Sequence, residues 1–358
     1  MISKKKKAIF FVPSAAGGAE RMTINIAKCL SLDKYDVRFY IVSKEKGEIK
    51  SFIPQGYVVK HLKIFNIYDF VTLKLIRIIR KEKADVAFSS MHYLNVRLIS
   101  ACMFCHTHVI VRSNTGLYRN DKITVFLIKL LYKFADIVIA QQDEMRSEII
   151  KVAKVSPNRI VTMSNILDTV TIQAKAMEPS PYDNSEDIRF IIVGRADDPV
   201  KGHDVAIQAF SIVKKTISKT QLYVVGKFDK NIDFCQKLIK LVEDLGVQQS
   251  VHFIGYDSNP YKWIKNANCY VLSSRQEGMP NVLLEALWLH VPCVATNCVP
   301  VIERIVNDGE NGYVVPSEDY KALARGMIDA IQLKSVHNSF KTSTPQDFSN
   351  LFNKICEQ

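Results

Sequence analysis

Two series of short, β-rich apolar runs alternate with longer helical stretches along this chain, and the alternation breaks once. In the first series residues 8–12, 37–42, 86–89, 109–111 and 137–140 concentrate β-branched and aromatic side chains at strand length. Residues 19–30, 69–81, 123–134 and 144–153 carry helical periodicity between them. Strands separated by a helix cannot pair as hairpins, so they must lie parallel in a sheet covered on both faces. Prolines, polar residues and acids crowd the break, Met177-Glu-Pro-Ser-Pro-Tyr-Asp-Asn-Ser-Glu-Asp187. Strand-like runs then resume at 188–193, 222–225, 251–254, 269–272 and 293–295, with helical stretches at 203–216, 234–245, 281–290 and 320–333. The fold class expected is therefore α/β, two Rossmann-like doubly wound domains facing each other across a cleft. A length of 358 residues is enough for two such cores. The boundaries expected are 1–170 for the first domain, 171–187 for a linker, 188–335 for the second, and 336–358 for a final helical segment returning to the first.

Several classes of protein are excluded by what the chain lacks. No stretch approaches the roughly 18 uninterrupted apolar residues of a membrane span. Lys4–Lys7 followed by Ala8-Ile-Phe-Phe-Val12 imitates a secretory leader, but Pro13 and Ser14 cut its apolar core short, so a first buried strand is expected instead. Eight scattered cysteines form no disulfide framework and suit a reducing, cytoplasmic setting. Cys102-Met-Phe-Cys105-His106 matches a haem-attachment pattern by letter, yet it lies in an apolar helical stretch without a second cysteine pair, and reads as buried thiols. Charge is uneven: residues 1–170 hold 28 Lys and Arg against 14 Asp and Glu, whereas the remainder holds 20 against 22. A basic front half suits an anionic membrane surface, implying a peripheral position on the inner face of the cytoplasmic membrane. Solvated lysines on helix faces would produce the same count. No basic–aromatic repeat or zinc module favours nucleic acid.

Three motifs carry chemistry. Gly17-Gly18 follows the first strand and opens the first helix, where a missing Cβ lets an anion approach backbone amides; two glycines without a third at the right spacing are not a dinucleotide fingerprint. Gly194-Arg195-Ala-Asp-Asp-Pro-Val-Lys201-Gly202-His203 holds the same place in the second domain, and two cations flanking a polar loop can grip a diphosphate. Ser273-Ser-Arg-Gln-Glu277-Gly278-Met279-Pro280-Asn281-Val282-Leu-Leu-Glu285-Ala-Leu puts one acid just outside a helix and a second one turn inside it. The apolar neighbours of Glu285 demand that its carboxylate find a hydrogen-bonding partner, and a hydroxyl-rich ligand would serve. Ser113 with His92 or His106 could suggest a hydrolase, but no Gly-x-Ser-x-Gly elbow supports a nucleophile.

Together these segments resemble the retaining family 4 glycosyltransferases of the GT-B fold, over nearly the whole chain. The most specific likeness is the 273–287 segment, similar to that family's acid-x7-acid signature. Gly226 after a strand, Gly255-Tyr256 and Asn311-Gly-Tyr-Val-Val-Pro-Ser-Glu-Asp319 support it, as does Ser164-Asn165-Ile-Leu-Asp168, where Ile166 stands in place of the family's proline. The resemblance implies transfer of a hexose or N-acetylhexosamine from a nucleoside diphosphate sugar, with UDP as the expected nucleotide. The acceptor it implies is a glycan, carried on lipid diphosphate, in surface polysaccharide assembly. By the same likeness Arg195 and Lys201 neutralise the departing diphosphate, Glu277 with the amides of 278–281 faces the donor sugar, and Glu285 accepts from the ribose hydroxyls. Gly17, Gly18, Gly226, Tyr256, Met279, Pro280, Asn281 and Val282 complete the donor site. No metal or other cofactor is expected, since side-chain cations take the place of magnesium. Many relatives have a histidine at an N-domain strand end; here His92, Arg112 and Asn114 are the acceptor-side candidates, and the residues do not choose between them. Two rival readings are a non-catalytic sugar-nucleotide-binding subunit and a nucleotide-sugar epimerase of similar architecture.

Overall fold

A computed structural model describes residues 4–15, 17–43, 48–64, 71–117, 120–183 and 186–357. The chain divides into two compact units, one made of residues 1–166 with 342–358 and the other of residues 167–341. Unit 1 runs β1 (Lys6–Pro13), α1 (Gly18–Lys28), β2 (Tyr35–Ser43), β3 (Val58–Lys63), α2 (Val71–Glu82), β4 (Val86–Ser89), α3 (His92–Cys102), β5 (His108–Ser113), α4 (Lys122–Leu131), β6 (Ile137–Ala140), α5 (Asp143–Ala153) and β7 (Ile160–Thr162). Unit 2 runs α6 (Thr169–Ala176), β8 (Ile188–Val193), α7 (His203–Thr216), β9 (Thr220–Val225), α8 (Asp233–Asp244), β10 (Val251–Gly255), α9 (Tyr261–Lys265), β11 (Cys269–Leu272), α10 (Asn281–Trp288), β12 (Cys293–Thr296), α11 (Ile302–Ile305), β13 (Gly312–Val315) and α12 (Tyr320–Ala330). A last helix, α13 (Pro345–Cys356), belongs to unit 1.

Each unit is one parallel sheet, in the order β3-β2-β1-β4-β5-β6-β7 and β10-β9-β8-β11-β12-β13. The period-2 geometry of a strand explains how one run of apolar residues supplies two cores. In β1, Ala8, Phe10 and Val12 face one side and Ile9 and Phe11 the other, and both sets are fully buried. The side lined by Phe10 is completed by Phe348 and Phe352 of α13, with the Phe10 and Phe352 ring centres 5.7 Å apart. Thr344 and Asp347 form a reciprocal cap that starts this helix. Burying each phenylalanine contributes roughly 2 kcal/mol, which holds the end of the chain on a sheet more than 150 residues before it in sequence.

The strands absent from the sequence reading, β3, β7 and β13, are all edge strands. An edge strand is covered poorly and needs no apolar run: β3 has no buried position, only exposed and half-buried ones, and carries Lys60 and Lys63. The segment expected as a linker, 171–187, is mostly exposed but is pinned to unit 2 at a few buried positions. Residues 184 and 185 lie outside the described residues, as do 69 and 70 at the start of the second expected helix. In the rest, Ile172, Ala176 and Tyr182 are buried in unit 2, the Tyr182 hydroxyl donates to the Trp263 carbonyl at 2.9 Å, and Asn259 donates to the Lys175 carbonyl at 2.9 Å. Prolines and acids mark the outer turns of this segment, but its apolar residues fix it to unit 2.

Candidate functional site

In each sheet chain order reverses at one place, between β1 and β4 in unit 1 and between β8 and β11 in unit 2. Connections on either side of such a point leave toward opposite faces, opening a crevice at the carboxyl ends of the strands. The loops after β8, β9, β10 and β11 all emerge on that edge of unit 2, and they carry Arg195, Lys201, Gly226, Tyr256 and Glu277–Pro280, with Asn281 and Val282 opening the helix that follows.

The loops after β8 and β11 are locked together. Gly202 takes a left-handed conformation with φ of 64°, and a Cβ added there would lie 2.0 Å from the Ser273 carbonyl oxygen, so only glycine permits the approach. Ser273 Oγ donates to the Lys201 carbonyl at 3.0 Å, and the Arg275 amide donates to the Val200 carbonyl at 2.8 Å. The Arg275 guanidinium reaches Asp204 with both terminal nitrogens, at 2.9 and 2.7 Å, and also pairs with Glu318. Burial alone would raise the Asp204 carboxyl, but the hydrogen bonds and charge of Arg275 together with backbone amides outweigh it and hold the group below the usual carboxylate range. On this frame Lys201 Nζ meets Glu277 Oε1 at 2.7 Å, and the Ser274 hydroxyl donates to the same oxygen at 2.7 Å. The two side chains are 30% and 13% exposed, so the pair opens to solvent on one side only.

Arg195 stands apart from this pair. Its side chain is 64% exposed and bonds Asp198 at 2.7 Å, with buried Asp197 behind it at 3.8 Å. Asp197 in turn meets Lys227 of the loop after β9 at 3.0 Å. His203 is fully buried and donates from Nε2 to the Arg195 carbonyl at 3.1 Å; burial pushes its pKa down to about 4, so it stays neutral while fixing the backbone that carries Arg195. Gly226, with φ of 156°, lies against Gly194, where a Cβ would come within 1.9 Å of the carbonyl oxygen.

Pro280 sits at the cap position just before α10, so Asn281 is the first helical residue. In the first turn of α10 the Asn281 and Leu283 amides donate to the Met279 and Pro280 carbonyls at 2.9 and 3.1 Å, and the start of the helix presents partial positive charge at the end of the loop that carries Glu277. Glu285, half-buried one turn further on, accepts from the Tyr261 hydroxyl at 3.4 Å. Met279 is buried, whereas Tyr256 is 58% exposed at the rim.

Unit 1 organises its residues differently. Gly17 caps α1, and the buried Glu20 folds back over it, 2.7 Å from where a Gly17 Cβ would stand; burial raises the Glu20 pKa. Gly18 is the first residue of the helix. His92, Arg112 and Asn114 are all buried and share one network. His92 Nε2 donates to the Thr115 carbonyl at 3.1 Å and its Nδ1 accepts from Tyr132 Oη at 2.7 Å. Burial drives the His92 pKa down to about 4 and the Arg112 pKa down to about 9. Arg112 donates to Asn114 and Asn165, and Asn114 donates to the Ser90 carbonyl. Asn165, quoted in the sequence motif, thus anchors Arg112 from the loop after β7.

Sequence reading missed Glu20, Asp197, Asp204, Lys227 and Arg275. Arg275 lies inside the quoted signature, and its position two residues before Glu277 was the available signal. Nothing local distinguished Asp204 or Lys227 from solvated charges.

Comparison with known proteins meets the same two halves. The description "Glycosyltransferase Family 4" matches residues 16–170 and "Glycosyl transferases group 1" matches residues 175–347. The chain is 31% identical over 247 residues to an uncharacterised glycosyltransferase of Methanocaldococcus jannaschii, a match spanning 63% of this chain and 59% of that protein. It is 25% identical over 356 residues to a Campylobacter jejuni N-acetylgalactosamine-N,N'-diacetylbacillosaminyl-diphospho-undecaprenol 4-alpha-N-acetylgalactosaminyltransferase, covering 94% of this chain and 93% of the relative. Among solved structures, Anabaena HepE in complex with UDP and glucose superposes with a TM-score of 0.80 at 16% identity, over 99% of this chain and 100% of that one. Two parallel Rossmann-like units of this kind define a GT-B enzyme. The chain belongs to the glycosyltransferases formed by these two family regions, and it is a glycosyltransferase.

Proposed function

We propose that the enzyme moves a hexose or N-acetylhexosamine from a UDP-sugar to a lipid-diphosphate-linked glycan in surface polysaccharide assembly, with retention at the anomeric carbon and without a metal. The observation that carries this reading is the Lys201–Glu277 pair, held at 2.7 Å beside the first turn of α10 at the switch point of unit 2. In such a transfer the bond from the anomeric carbon to the diphosphate oxygen breaks and the acceptor oxygen bonds the same face. The acceptor proton leaves with the phosphate. Negative charge grows on the departing oxygens, and fixed donors already in place lower the barrier because they need no reorganisation. Lys201 and the N–H groups of Gly278 and Met279 take this part, and Arg195 leaves Asp198 to join them when a diphosphate competes for its guanidinium. Glu277 keeps Lys201 oriented and meets the sugar hydroxyls, while Glu285, already near the Tyr261 hydroxyl, receives the ribose. The lipid-linked acceptor is supported by the named acceptor of the Campylobacter relative.

The test is a thermal-shift panel of nucleotide sugars followed by anomer-resolved NMR of the product. A ligand stabilises by mass action in proportion to its affinity, so the true donor should raise the melting temperature most. Absence of any shift with UDP-sugars would remove the donor class, and an inverted product would remove retention.

A further inference from the structure

Unit 1 carries an apolar stripe on its outside that its own fold leaves uncovered. Along α4 and the 3-10 turn Tyr132–Phe134 that continues it, Ile123 is 65% exposed, Phe126 63%, Leu130 47% and Phe134 45%. Spacings of three, four and four place these side chains within roughly 80° of arc on one face. Thr124, Ile128 and Tyr132, on the opposite face, are the buried positions that attach the helix to the unit. Lys122, Lys129 and Lys133 line one flank of the stripe, all exposed, and no acid occurs from 122 to 134. At its far end Lys133 and Phe134 join Lys154, Ser156, Asn158 and Arg159 around an open basin of about 500 Å³ whose charged groups are all cations.

We propose that this face is a docking surface for an anionic phospholipid bilayer, with Ile123, Phe126, Leu130 and Phe134 entering the acyl boundary and Lys122, Lys129, Lys133, Lys154 and Arg159 meeting the phosphates. An exposed run of large apolar groups marks a partner surface, and lysines along its flank select an anionic partner that is also apolar. A second copy of this chain fits poorly, because a two-fold contact through this face would set lysine against lysine. Among the described residues no helix is long and apolar enough to cross a membrane, so attachment of this kind is interfacial. This deepens the reading above: it rests on the lipid-linked acceptor for its purpose, since a docked unit 1 meets an acceptor confined to the same surface.

The experiment is co-sedimentation of the full chain with vesicles of phosphatidylcholine, alone or mixed with phosphatidylglycerol. The parent protein should pellet with the mixed vesicles and lose most of that binding in high salt. Phe126→Ser with Leu130→Ser should weaken the partition at least tenfold, and each of Lys122→Gln, Lys129→Gln and Lys133→Gln about fivefold. These positions are exposed, so melting temperature and its shift with a UDP-sugar should stay at parent values; if the serine pair fails to fold, the lysine variants carry the test. Equal binding to neutral vesicles, no binding, variants that pellet like the parent, or a dimer broken by the serine pair would each overturn the proposal. Because donor stabilisation is measured without vesicles, failure here is distinguishable from failure of the donor-site reading.

Discussion

The two units use one topology to opposite electrostatic ends. At the switch point of unit 2, partly exposed charges stand paired and open to a ligand: Lys201 with Glu277, Arg195 with Asp198. At that of unit 1 the polar groups are folded inward, with His92, Arg112 and Asn114 between 0% and 9% exposed and bonded to amides, carbonyls and Tyr132. A charged pair at a surface can exchange partners when an anionic ligand arrives, because water already compensates part of each charge. A buried network cannot do so without leaving donors unpaired, at a cost of about 1–3 kcal/mol for each group. The strand-end pairs of unit 2 can therefore yield to a charged ligand, while the buried network of unit 1 holds its strand ends in place.

The contrast breaks most easily at Lys201. Lys201→Ala should lower turnover on the order of 100-fold or more while circular dichroism and melting temperature change little, since its loop is held by Gly202, Ser273 and Arg275 rather than by its own amine. Loss of folding in that variant would mean the lysine is structural and the comparison fails. Arg275→Lys tests whether placement of the pair matters separately. It keeps a charge but loses the two-nitrogen grip on Asp204, and turnover should fall roughly tenfold, chiefly in kcat, with donor stabilisation retained. A parent-like kcat would show that the backbone contacts suffice.

Acid sharpens the comparison least but reaches both units, through His92 in one and His203 in the other. Both have folded-state pKa values near 4, below the ordinary 6.5 because burial disfavours the imidazolium. Between those values the unfolded chain binds the protons, so stability rises with pH, is complete above about 6.5 and is lost as pH falls toward 4. Urea midpoints measured across that window should fall with pH. In His92→Gln the fall should be shallower, and the stability at pH 7 lower by about 1–3 kcal/mol from the lost Tyr132 contact. An unchanged slope would place proton uptake elsewhere.

Most of the fold was legible because interior strands of a parallel sheet must be apolar on both faces, which leaves short β-branched runs no other reading. The edges β3, β7 and β13 escaped because one side of an edge strand faces solvent and its residues obey no such rule. The 171–187 stretch misled in the other direction: prolines and acids describe its turns, while Ile172, Ala176 and Tyr182, which decide where it packs, carry no local signal. In the candidate site, Glu277, Lys201 and Arg195 could be picked out by type and position at strand ends. Asp204 and Lys227 could not, since a charge on a helix or loop looks the same whether it meets water or an arginine.

By itself the sequence determined the two α/β series, the strand-end placement of the acids and cations, and the basic excess of the first half. Only the tertiary structure decided that Lys201 pairs with Glu277 rather than with Arg195's neighbours, that His92 is a buried neutral group, and that α4 and the turn after it face four large apolar side chains outward. Each of those depends on distances between segments far apart in the chain, and periodicity within a segment reports which faces are apolar but not what lies opposite them.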